Sequence, residues 1–203
     1  MPDTESSAAQ TGQKAKPNRR TTMTDNNAKD QAIAQAQSII AMVAALSCDY
    51  DRLEELKDEQ ESLQADIDNA KDGAIGDTDE PHKALVEWLN ENGEELAQLE
   101  ADAGDNTDAD QARERISEDP LSVEYRSGWQ SVGETLEASE FRILLCTGGP
   151  AVQIRGELDE HMQPSRAWLE AQDWGTPWFH VHIGDGFEGD TLLQYCQQFY
   201  FGE

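Results

Sequence analysis

From about Asn27 the apolar positions fall into a helical rhythm. Ile39, Val43, Leu46, Tyr50 and Leu53 recur at spacings of four and three, and Leu56, Gln60, Leu63, Ile67 and Ala70 resume the same stripe. The short step from Leu53 to Leu56 is a three-residue slip, which overwinds a coiled coil locally. Read as one element, Asp30 to Lys71 predicts a helix about 60 Å long. Gly73 and Gly76 end it, and Pro81 suits the start of the next helix. There Leu85, Leu89, Asn92, Leu96, Leu99 and Ala103 form a second stripe, with a kink expected at Asn92-Gly93. Asp108 or Asp110 caps a short third helix that ends before Pro120. These segments predict an antiparallel helical hairpin of coiled-coil type.

After Pro120 the period changes from helix to strand. Residues 122–126, 140–146, 151–157, 166–172 and 178–183 read as five strands, with Gly148-Gly149-Pro150 turning the second into the third. Phe141, Ile143 and Leu145 share a face, as do Val152 and Ile154, while Arg142 and Arg155 alternate outward with Glu157. Thr191 to Phe199 closes the chain as a helix whose Leu192, Leu193, Cys196 and Phe199 cover the sheet. The expected class is α+β: an N-terminal acidic helical hairpin, then an antiparallel sheet of about five strands with a C-terminal helix. The expected organisation is a disordered basic tail over 1–26, the acidic hairpin with its short third helix over 27–119, and the α+β domain over 120–203.

Charge changes the picture most. Between Asp49 and Asp119 lie 25 Asp and Glu against six Lys and Arg, which gives −19 of the formal −27. Residues 1–24 are rich in Ser, Thr, Gln and Asn and carry Lys14, Lys16, Arg19 and Arg20, a composition that cannot bury enough apolar surface to fold. Met23 is a candidate start, with the upstream residues an extension. No run of 18 apolar residues exists, so no membrane span is expected. Cys48, Cys146 and Cys196 are odd in number and widely spaced, which points to a reducing, cytoplasmic setting. Net acidity disfavours direct binding of nucleic acid or anionic lipid and favours basic partners.

The hairpin surface sharpens that expectation. Asp51/Glu55, Glu54/Asp58, Glu55/Glu59, Glu87/Glu91 and Glu91/Glu95 are like-charge pairs at i,i+4, each costing a few tenths of a kcal/mol. Residues 49–103 carry 19 acids and four bases, net −15. Over a hairpin of about 35 Å that is one charge per roughly 2.3 Å, close to the one per about 1.7 Å of duplex DNA. The expected partner-binding residues are therefore Glu54, Glu55, Asp58, Glu59, Glu61, Glu87, Glu91, Glu94 and Glu95. A solvated, self-repelling coiled coil or a salt-adapted proteome gives the same composition.

Other candidate chemistry is thinner. Arg126, Arg142, Arg155 and Arg166 all fall on predicted strands, where they pair with Glu124, Glu157 and Glu170 or form a face for a phosphate or carboxylate. Gly184 to Gly189 matches G-x-G-x-x-G, yet the chain has no room for the ribose-binding strand, and Asp185, Glu188 and Asp190 repel a pyrophosphate. His180 and His182 share a strand face and could chelate a metal with Asp185 or His161, although surface histidines are commoner. Cys146, before Thr147-Gly148-Gly149, could act as a nucleophile, but a buried strand cysteine fits better. Trp174-Gly-Thr-Pro-Trp178 sets two indoles around a tight turn, as core or as an exposed anchor for a protein partner. No catalytic residue, metal or cofactor is expected.

Cys48-Asp-Tyr-Asp-Arg-Leu-Glu-Glu-Leu56, Glu91-Asn-Gly-Glu-Glu-Leu96, residues 141–150, Gln172-Asp-Trp-Gly-Thr-Pro-Trp178 and Phe199-Tyr-Phe-Gly-Glu203 resemble a family of small acidic proteins. Such proteins are carried by phages, plasmids and integrated elements of proteobacteria. The resemblance spans about 35–203 and implies a genomic setting, without an activity or catalytic residues. The expectation is a non-enzymatic accessory protein of a mobile element. Its acidic hairpin occupies a basic groove on a host nucleic-acid-binding protein such as a restriction or CRISPR effector. The alternative is an adaptor that binds through the tryptophan-rich domain, with a coiled-coil homodimer. A small hydrolase using Cys146 or the histidines ranks last.

Overall fold

Alanine spacing decides where the first helix goes. In the computed structural model, which describes residues 19–71, 79–129, 131–133 and 137–202, helix α1 (Arg19–Ser47) buries Ala28, Ala32, Ala36, Ile39 and Val43 along one stripe. Side chains this small let the helix backbone approach a flat surface closely, and alanine costs the helix nothing in propensity. The surface it meets is the sheet, for α1 packs across the third and fourth strands. Ile39, Met42 and Val43 share a core with Phe141, Ile143, Val152, Ile154 and Leu169. Each buried aliphatic of this kind contributes about 1.5–3 kcal/mol of transfer free energy.

This placement corrects the single 60 Å helix. The chain breaks after Ser47 and turns by 78° into α2 (Tyr50–Lys71). Local capping marks the break, whereas α2 runs unbroken through the expected slip at Leu53–Leu56. Asp49 Oδ1 accepts the Arg52 backbone N–H at 3.0 Å, and the Tyr50 hydroxyl donates to the Ala45 carbonyl at 3.0 Å. The two ends are thus closed against each other. The basic tail lies outside the described residues up to position 18, and α1 already starts at Arg19, upstream of the expected Asn27.

Helix α2 pairs with α3 (Asp79–Ala103) through a separate seam of Leu53, Leu56, Leu96 and Ala103, flanked by Tyr50, Trp88 and Leu99. The helical hairpin is therefore α2–α3, with α1 outside it. Helix α3 runs without interruption through Asn92-Gly93. Helix α4 (Ala109–Glu118) is capped by Asp108, whose Oδ1 accepts from the Gln111 N–H at 2.8 Å, as its sequence predicts. Its Ile116 joins the sheet core, so that core draws on both sides of Pro120.

The sheet is an antiparallel meander in chain order: β1 (Ser122–Ser127), β2 (Ala138–Cys146), β3 (Ala151–Leu158), β4 (Pro164–Gln172) and β5 (Phe179–His180). Every strand is as expected except the last, which keeps only two of the six residues assigned to it. Phe141, Ile143 and Leu145 face the helices with Val152, Ile154, Leu169 and Ala171. Gly156 sits opposite Phe141, and a Cβ there would meet the Phe141 ring at 2.3 Å and the Arg166 carbonyl at 2.2 Å. The phenyl ring fills that space and packs on Phe201 at 4.8 Å between centroids. The expected nine-residue closing helix is instead a π turn, Phe187–Thr191, followed by α5 (Leu192–Cys196). Tyr195 of α5 is fully buried and donates to Asp119 Oδ2 at 2.6 Å, which ties the C-terminal segment to the junction of α4 and β1.

Candidate interaction surfaces

The α2–α3 hairpin sorts its charges by flank. Three contacts across the seam fix which residues share a side. Arg52 reaches Glu95 through two bonds of 3.1 Å, and the Trp88 indole donates to Glu59 at 2.8 Å, both on one flank. Lys57 meets Glu100 at 3.7 Å on the other. At 3.6 residues per turn, Glu55 and Glu91 fall on the Arg52 flank, Asp58, Glu87 and Glu94 fall on the outer surfaces, and Glu54 and Glu61, seven residues apart, share a stripe on the Lys57 side. Seven of the nine expected acidic residues thus form one continuous arc, and all nine are solvent-exposed. Glu54 and Glu61 are the exceptions. On their side Lys57 and Lys71 partly offset Glu54, Glu61, Asp68 and Glu100, with Lys71 3.2 Å from Asp68. The arc has only Arg52 and Lys83 among the described residues. Arg52 bonds both Glu95 and Glu55, and through that bond holds the Glu95 carboxyl below its ordinary range.

A second surface lies on the sheet face away from α1. Arg126 and Arg155 both donate to Glu140 Oε2, at 2.6 and 2.7 Å, and Arg142 pairs with Glu124. Hydrogen bonds from Arg126, opposed by desolvation and helped by Arg155, hold the Glu140 carboxyl below its usual value. Arg166 pairs with Glu157 at 3.5 Å. The expected cross-strand pairing holds for Glu124 and Glu157. Glu170 differs, for it has no arginine. It is 6% exposed and accepts from Gln153 Nε2 at 2.7 Å and from the Trp168 indole at 2.9 Å, with His180 Nε2 3.4 Å away. His180 stacks on Trp168 at 5.7 Å, whereas His182 lies 3.8 Å from Asp185.

Between these strands is a pocket of about 360 Å³, lined by the Arg126, Arg142 and Arg155 side of the sheet, Gln153 and Trp178. Gln153 is 4% exposed, and its Oε1 is the one buried side-chain polar atom without a partner among the described residues. Sequence reasoning missed Gln153 and gave Glu170 an arginine partner in its place. Their signal was a polar residue every second position along β3 and β4, but their meeting depends on the register Gln153 to Glu170.

The two loop tryptophans part company. Trp174 is 78% exposed and its indole lies over Gly149, where a Cβ would come within 1.7 Å of Nε1. Trp178 is half-buried at the pocket. Burial raises the thiol pKa of Cys48, Cys146 and Cys196, the direction opposite to an activated nucleophile. No helix among the described residues is by itself long and apolar enough to cross a membrane. No family model, curated protein or solved structure matches this chain.

Proposed function

We propose that this chain is a non-enzymatic binding protein whose α2–α3 hairpin occupies the basic groove of a nucleic-acid-binding protein in place of duplex phosphates. One observation carries the reading: the carboxylates are segregated. On the Lys57 flank, lysines partly compensate them. On the arc of Glu55, Asp58, Glu59, Glu87, Glu91, Glu94 and Glu95 they largely do not. A helix pair selected only for stability gains from interleaved signs, and this one forgoes that gain on one side alone. A salt-adapted composition gives no reason for the asymmetry. The helices run about 33 and 37 Å, enough to track a full turn of duplex DNA. A host defence protein of restriction or CRISPR type is the partner class that the family resemblance adds.

The alternative, an adaptor docking through its tryptophans, is favoured by Trp174, which is exposed with its indole over Gly149. Capture of partners from bacterial lysate separates the two. The hairpin reading expects a captured protein that duplex DNA displaces and that the triple variant Asp58→Lys, Glu87→Lys, Glu94→Lys no longer retains. Retention by that variant, with loss on Trp174→Ala, selects the adaptor.

A further inference from the structure

The pocket on the open sheet face has a chemistry of its own, independent of the hairpin. Three guanidiniums, Arg126, Arg142 and Arg155, face two carboxylates, Glu124 and Glu140, with a third, Glu170, buried behind Gln153. Each guanidinium has five N–H donors and spends one or two of them on those carboxylates. Donors for an anion remain. Gln153 makes the opposite demand. Its amide nitrogen is committed to Glu170, which also takes the Trp168 indole, so the amide is held with Oε1 left unpaired. Reversing the amide would set Oε1 against the Glu170 carboxylate. A buried acceptor without a donor is destabilising, and Gln153 lines the pocket, so a donor entering there satisfies Oε1 without disturbing the bond to Glu170.

We propose that this pocket binds the carboxyl terminus of a peptide. The terminal carboxylate meets the arginines, the adjacent backbone N–H donates to Gln153 Oε1, and Trp178 walls the last side chain. A carboxylate monoanion brings a single negative charge beside Glu124, Glu140 and Glu170. A phosphate dianion brings more and offers no matching N–H.

The test is ¹H–¹⁵N NMR of the full chain titrated with acetyl-trialanine as the free acid, the same peptide as its C-terminal amide, and inorganic phosphate. The free acid is expected to shift the Gln153 side-chain amide and the Trp178 indole signals saturably, and the amidated peptide to bind at least about tenfold more weakly. Arg126→Gln, at an exposed side chain, and Gln153→Met should each weaken the free acid about tenfold, with signals of α2 and α3 unmoved. The proposal is overturned if phosphate or the amidated peptide binds as tightly as the free acid. It is equally overturned if Arg126→Gln leaves affinity unchanged, or if no saturable shift occurs at millimolar peptide.

Discussion

At the scale of single residues, the sheet has little slack. Gly156 leaves its Cβ position to the Phe141 ring, which in turn packs on Phe201. Gly156→Ala is expected to cost about 1–3 kcal/mol through overpacking, read as a lower urea midpoint with unchanged slope. Thiol chemistry gives a second check. Cys196 is wholly buried and burial lifts its pKa far up, so it should resist iodoacetamide in the native state and react only after denaturation. Glu140 sets a pH dependence. Its folded pKa lies below the unfolded value of about 4.3, so its stabilising contribution is complete above that value. It is lost as pH falls through the folded pKa. Glu140→Gln should therefore narrow the loss of stability seen in thermal melts between about pH 5 and 3.

At the scale of elements, the sequence is a good guide to strands and to α4, and a poor one to helix partnership. Strand alternation names its own faces, and Asp108 before an apolar helical stripe announces its cap. The break at Cys48-Asp49 was hidden because Ile39, Val43, Leu46, Tyr50 and Leu53 keep a helical period straight across it. Periodicity reports that a stripe is buried, never against what. Alanine at 28, 32 and 36 was the available hint that α1 meets a flat sheet and not another helix. The hairpin supplies its own prediction. Like-charge pairs dominate its exposed arc, so screening should stabilise it. Hydrogen exchange of α2 and α3 amides is expected to slow as sodium chloride rises, while amides of β3 and β4 change little. Faster exchange of the helices with salt would mean that Arg52 and Lys57 ion pairs dominate instead.

At the scale of the whole molecule, charge is distributed by region: a carboxylate arc on α2–α3, and a small arginine-lined enclave on the open sheet face. The arc's seven members were legible in the sequence, whereas Glu54 and Glu61 turn toward the Lys57 flank. The arc's one-sidedness was not legible, because that follows from how the two helices are phased against each other through Arg52–Glu95, Trp88–Glu59 and Lys57–Glu100. The enclave was half legible, for three of the four strand arginines line it, and the meeting of Gln153 with Glu170 depended on register. The central claim is that the arc stands in for duplex phosphates. The most direct measurement is the affinity of the purified chain for its captured partner as a function of salt, beside the same partner's affinity for duplex DNA. The account predicts a steep linear fall of log K with log salt for both ligands, and a flattened slope for the Asp58→Lys, Glu87→Lys, Glu94→Lys variant. An affinity indifferent to salt, with DNA and the chain bound to the partner at once, would contradict it.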